Sequence, residues 1–131
     1  MIEIILADDH KVARAEVRSL LEDEADFSVV SEASNGDEAV KITGKLKPHL
    51  LISDLRMPCL DGISVTEQVK RLSPNTRVII LSMYGDKYHV DAAFKAGACG
   101  YVLKKYCVGE LSEAICTVLS GKIYRSPVLV Q

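Results

Sequence analysis

Short runs of β-branched and other apolar residues alternate along the chain with longer segments whose apolar positions recur every three or four residues. The runs predict strands at Ile2 to Ala7, Phe27 to Ala33, Leu50 to Ser53, Arg77 to Leu81 and Gly100 to Leu103. The central runs are almost continuously apolar, as strands covered on both faces must be. Between them the periodic segments predict helices. The first spans about Lys11 to Glu24, with Ala13, Val17, Leu20 and Leu21 on one stripe, and the second opens at Asn35 or Asp37. A third helix follows the capping residue Asp61 and is stopped by Pro74. The fourth spans about Asp86 to Ala96 before Gly97, and the fifth about Val108 to Ser120 before Gly121. Five strand–helix repeats in this order predict an α/β fold with a doubly wound parallel sheet.

Composition narrows the picture. With 131 residues, 48% of them hydrophobic, the chain can bury one substantial core as a single domain. Sixteen basic residues against eighteen acidic ones leave a net charge of -2, which offers no footprint for direct nucleic-acid binding by this segment. Uninterrupted apolar runs such as Val78 to Leu81 are far too short for a membrane span, and the start has no signal-peptide pattern, so a cytoplasmic location is expected. Cys59, Cys99, Cys107 and Cys116 form no C-x-x-C pair and read as core fillers or idle thiols.

In an open parallel sheet, ligands bind beyond the carboxyl ends of the strands. Strand one ends in Asp8-Asp9, strand three in Asp54, strand four in Ser82 and strand five in Lys104-Lys105. Taken singly, an Asp after a strand is usually a turn or cap, and a Ser or Lys there is usually solvated. Their convergence on one edge points further. Three carboxylates in one pocket repel each other, and a hard divalent cation such as Mg²⁺, which prefers oxygen ligands, offsets that repulsion. A carboxylate so placed can attack phosphorus, with Lys104 stabilising charge on the transferring oxygens and the Ser82 hydroxyl donating to them.

The segments Leu6-Ala7-Asp8-Asp9-His10, Asp54-Leu55-Arg56-Met57-Pro58 with Asp61-Gly62, Ile79-Ile80-Leu81-Ser82, and Ala96-Gly97-Ala98-Cys99-Gly100-Tyr101-Val102-Leu103-Lys104-Lys105 resemble, in that order, the receiver domains of two-component response regulators. The resemblance runs from about Ile2 to Gly121. It implies a flavodoxin-like (βα)5 fold with strand order 2-1-3-4-5 and a receiver domain over residues 1–121. It also implies Asp54 as phosphoacceptor, Asp8 and Asp9 as Mg²⁺ ligands joined by Asp54 and the backbone carbonyl of Arg56, and Lys104 paired with the phosphoryl group. Ser82 and Tyr101 look like the family's switch pair; the lesser alternative for Tyr101 is an edge-strand aromatic that packs and does not switch. Residues 122–131 are similar to the linker toward a helix-turn-helix output domain, absent here, in regulators of the LuxR/FixJ/NarL type. Lys105 and Cys107 depart from the family pattern and leave the loop after Lys104 and the start of the fifth helix open.

The implied function is a phosphorylation switch controlling transcription, which catalyses only its own phosphorylation and dephosphorylation. A sensor histidine kinase is the implied phosphodonor, and a homodimer through the first or fifth helix is compatible. Lys11, Arg14 and Arg18 form a basic stripe on the first helix that is either a docking surface or a solvated face. The rivals are a module that works without phosphorylation, a metal-dependent phosphatase using Asp8, and a flavin-binding module. The phosphatase lacks an insertion large enough for a cap, and the acidic turn after strand one is unsuited to cradling a flavin phosphate.

Overall fold

The computed structural model describes residues 1–130. Strands β1 (Ile2–Ala7), β2 (Phe27–Ala33), β3 (Leu50–Asp54), β4 (Arg77–Ser82) and β5 (Gly100–Leu103) alternate with helices α1 (Lys11–Glu22), α2 (Gly36–Leu46), α3 (Gly62–Leu72), α4 (Lys87–Ala96) and α5 (Cys107–Leu119). The loop after β5 is a 3-10 turn, Lys104–Tyr106, and α5 opens at Cys107 without a side-chain cap.

Strand residues alternate between two cores because successive side chains in a strand point to opposite faces. Ile4, Leu6, Ile52, Ile79, Leu81 and Val102 pack with Val17 and Leu21 of α1 and with Leu111, Ile115 and Val118 of α5. Ile5, Leu51, Val78, Ile80, Tyr101 and Leu103 pack with α2, α3 and α4 through Ala39, Val40, Val65, Val69, Val90 and Ala93. Both faces of the sheet are therefore covered, as the continuous apolar runs predict.

The expected five strands become six. The observed order is β2-β1-β3-β4-β5-β6, all parallel, where β6 (Tyr124–Arg125) comes from the tail. Tyr124 N–H donates to the Cys99 carbonyl and Ser126 N–H to the Tyr101 carbonyl, each at 3.0 Å, which completes an edge of β5 that would otherwise stay unpaired. A two-residue strand has no periodicity to betray it. The Ser126 hydroxyl, fully buried, accepts from Leu103 N–H at 3.0 Å and donates to Glu110 at 2.6 Å, so the described tail lies against the body.

The helix starts follow local chemistry. Asn35, Asp61 and Asp86 accept from the N–H groups of Glu38, Ser64 and His89 and cap α2, α3 and α4. His10, which precedes α1, makes no such bond. The four cysteines are free, with Cys59 and Cys116 exposed. Among the described residues no helix is long and apolar enough to cross a membrane.

Candidate functional site

Register builds the site. Ala7 lies opposite Ser53, Asp54 opposite Leu81 and Ser82 opposite Leu103 in the parallel ladder, so the residues that end β1, β3, β4 and β5 meet at one edge. Asp8, Asp9 and Asp54 each bring a carboxylate oxygen to within 4.8 Å of the others, together with a nitrogen of His10. Asp8 and Asp54 are 6% and 7% exposed, so their charges are largely removed from water.

Lys104 joins two of the three. Its Nζ lies 3.1 Å from Asp8 Oδ2 and 3.2 Å from Asp54 Oδ2. The other Asp54 oxygen, Oδ1, accepts from Leu55 N–H at 2.8 Å. Burial pushes the Asp54 carboxyl above its ordinary pKa; the Lys104 charge pulls the other way and the Asp8 charge adds to the rise. Burial alone would lower the Lys104 pKa, but the charge of Asp54 and the hydrogen bond with Asp8 outweigh it and leave it raised. One ammonium thus faces three carboxylates, and the pocket keeps an excess of negative charge.

Asp9 shows where that excess is unresolved. Its Oδ1 is buried without a hydrogen-bond partner, and the His10 ring nitrogen 3.3 Å away does not bond it. A buried, unpaired carboxylate oxygen beside two further carboxylates is a donor set of hard oxygens, and it fits a hard divalent cation. Arg56 lines the same cleft as Asp9 and His10, an open space of about 750 Å³ that also reaches Tyr88 and His89. The Arg56 guanidinium lies 5.0 Å over the Tyr84 ring, which itself stacks on His89.

Ser82 and Tyr101 are both fully buried behind the site. Ser82 Oγ accepts from Tyr84 N–H at 2.9 Å, and the Tyr101 hydroxyl donates to the Tyr84 carbonyl at 2.5 Å. Both side chains therefore grip the same residue at the start of the β4–α4 loop. Tyr101 does not stand on an edge strand, because β6 covers β5.

The basic stripe on α1 is largely neutralised. Arg14 Nε lies 2.8 Å from Glu32, Arg18 pairs with Glu32 as well, and Arg18 also reaches Glu22 at 3.2 Å. Burial works against the Glu32 carboxylate, but hydrogen bonds from Arg18 and Arg14 outweigh it and hold its pKa low. Of the stripe's reading as a free docking surface, only Lys11 remains without an ion pair among the described residues. His10 and Arg14 are the neighbours of the site that sequence reasoning missed. Adjacency to Asp9 was a signal for the first; for the second, nothing in the sequence links Arg14 to Glu32 on another element.

Residues 4–116 match the family described as the response regulator receiver domain. The transcriptional regulatory protein DegU of Brevibacillus brevis is 33% identical over 126 residues, which cover 96% of this chain and 53% of DegU. A LuxR-family response regulator from Aurantimonas sp. SI85-9A1 superposes with a TM-score of 0.94 at 33% identity, over 98% of this chain and 92% of that one. The isolated receiver domain of RcsB from Salmonella enterica serovar Typhimurium, solved with the phosphomimetic BeF3-, gives 0.90 at 29% identity, over 98% and 96%. The chain spans 53% to 64% of the length of the first curated relatives it matches.

Proposed function

The chain belongs to the response regulator receiver domains of two-component systems, and on that premise we propose that it is a phosphorylation switch with Asp54 as acceptor. The observation that carries this reading is the Lys104 ammonium shared between Asp8 and Asp54, beside an Asp9 oxygen that is buried and unpaired. Asp8, Asp9 and Asp54, with the carbonyl of Arg56, would hold Mg²⁺. When bound, Mg²⁺ supplies charge neutralisation at the carboxylates and on the oxygens of an incoming phosphoryl group.

The chain's own groups then have separable tasks. An Asp54 carboxylate oxygen attacks phosphorus; the new P–O bond forms as the bond to the donor breaks, and the electron pair leaves on the donor, the imidazole of a phosphohistidine or the acetate of acetyl phosphate. Lys104 balances charge on the phosphoryl oxygens once Asp54 carries the acyl phosphate and is no longer its full partner. The Ser82 hydroxyl, which accepts from Tyr84 N–H, keeps its own proton to donate to the phosphoryl group. Drawing Ser82 toward phosphate shifts the Tyr84 segment, which Tyr101 also holds, and the surface at the start of α4 changes with it.

In this reading residues 1–121 with β6 of the tail form the receiver, a sensor histidine kinase is the phosphodonor, and the tail leads on to an output segment that regulates transcription in a longer protein. The chemistry the chain performs is limited to its own phosphorylation and dephosphorylation. The BeF3- used with the RcsB receiver is the kind of probe that a site of this composition would take.

Incubation with acetyl phosphate and Mg²⁺, followed by intact-mass measurement, tests the assignment. The expected result is one added phosphoryl group, absent in Asp54→Asn and in chelator. Folded wild-type protein that gains no mass would overturn it in favour of a module that works unphosphorylated.

A further inference from the structure

The turn between β1 and α1 carries two of the three site carboxylates, yet the helix it leads into has no side-chain cap. α2, α3 and α4 are each closed by a capping side chain, whereas His10 caps nothing and the first turn of α1 contains no acidic residue. A residue inside α1 supplies the closure instead. Arg14 reaches back so that its Nη1 donates to the Asp8 carbonyl at 2.6 Å, while its backbone N–H donates to the His10 carbonyl at 2.9 Å. Its Nε donates to Glu32 of β2 at 2.8 Å, which sets the plane of the guanidinium. The Arg14 side chain is only 17% exposed, so this geometry is not that of a solvated surface pair.

Asp8 is pinned at every polar group as a result. Its N–H donates to the Ala33 carbonyl at 3.0 Å, its carbonyl accepts from Arg14, Oδ1 accepts from His10 N–H at 2.9 Å and Oδ2 from Lys104 at 3.1 Å. Two of these four bonds run to Ala33 of β2 and Arg14 of α1 and one closes within the turn at His10; the Lys104 bond is the one an incoming ion competes with.

We propose that Arg14, oriented by Glu32, is a positioning residue for the acidic site, fixing the Asp8–Asp9 turn at the spacing a divalent cation needs; this rests on the Mg²⁺ reading above. Charge and positioning have opposite effects on ion affinity at Arg14. By charge alone, removing a guanidinium beside a cation site strengthens cation binding. By positioning, removing it frees the turn, the ion must order the ligands as it binds, and affinity falls.

Calorimetric titration of the whole chain with MgCl2 at constant ionic strength separates them. Arg14→Ala is expected to weaken Mg²⁺ binding about tenfold or more, the range typical when the partner of a metal ligand is removed. Arg18→Ala, which also breaks a pair with Glu32 but does not touch Asp8, is expected to stay within about twofold. Arg14→Lys, which keeps a donor for the carbonyl, should recover part of the loss, and it carries the test if Arg14→Ala does not fold. With acetyl phosphate, the Mg²⁺ concentration for half-maximal phosphorylation should rise in Arg14→Ala while the rate at saturating Mg²⁺ stays near wild type. Equal or tighter binding by folded Arg14 variants, or an equal loss in Arg18→Ala, would sink this inference alone. Wild-type protein that binds no Mg²⁺ would sink the proposed function and this inference with it.

Discussion

Replacing Asp54 by Asn should stabilise the metal-free protein while abolishing phosphorylation. Asp54 lies within 4.8 Å of both Asp8 and Asp9 oxygens and 3.2 Å from Lys104. With an effective dielectric constant of about 20, each like-charge pair at that separation costs about 3.5 kcal/mol, and the Lys104 pair returns about 5 kcal/mol. The repulsions together exceed the attraction, and burial of the charge adds to the imbalance, in agreement with the raised Asp54 pKa. Asn keeps the shape and can still accept from Leu55 N–H, but it loses part of its contact with Lys104. A net gain of about 1–2 kcal/mol in chelator is expected, read by urea unfolding at neutral pH. Mg²⁺ should reverse the order, because an ion at about 100 times its Kd stabilises the wild type by about 2.7 kcal/mol and Asn removes one of its ligands. The sign with pH follows from the raised carboxyl. The native state holds the Asp54 proton more tightly than the unfolded chain, so the penalty is full above the native pKa and fades as pH falls to the ordinary carboxylate range. The advantage of Asn should fade with it. An Asp54→Asn protein no more stable than wild type in chelator, or an advantage that Mg²⁺ leaves unchanged, would refute the charge argument.

Other perturbations test the frame around the site. Ser126→Ala removes the acceptor of the buried Leu103 N–H and a donor to Glu110, and should cost about 1–3 kcal/mol in urea unfolding while leaving the Asp54 phosphorylation level intact. Gly36→Ala should be more damaging, because an added Cβ would stand 2.1 Å from the Leu60 carbonyl oxygen; a loss of about 3 kcal/mol or more, or failure to fold, is expected by thermal melting. Tyr124 is buried against Glu110, and burial followed by the bond to that carboxylate pushes its phenol up to about 12. Stability should therefore be full below the ordinary tyrosine pKa and fall by roughly 2–3 kcal/mol as pH rises toward 12, whereas Tyr124→Phe should lack that slope. Ultraviolet titration of tyrosinate should show the same late-titrating phenol missing in the variant.

How much was legible in the sequence depends on how local the cause is. The five main strands and five helices lie where the apolar periodicity puts them, because burial on one or both faces imposes a repeat that a short window contains. Asp8, Asp9, Asp54, Ser82 and Lys104 were legible as a group for a related reason: in a parallel sheet every strand ends at the same edge, so polar residues after apolar strands must converge there. Family resemblance then attached chemistry to them. What the sequence could not determine is which atoms touch. Lys104 and Asp8 are 96 residues apart, and their 3.1 Å contact depends on the register of β1, β3, β4 and β5 together. The sixth strand is two residues long and exists because β5 offers an unpaired edge, a property of the assembled sheet. Arg14 looked like part of a basic face; only the packing of α1 on β2 brought Glu32 beneath it and turned its guanidinium to the Asp8 carbonyl. Periodicity is written along the chain, while pairing between distant side chains is decided by the geometry that periodicity makes possible.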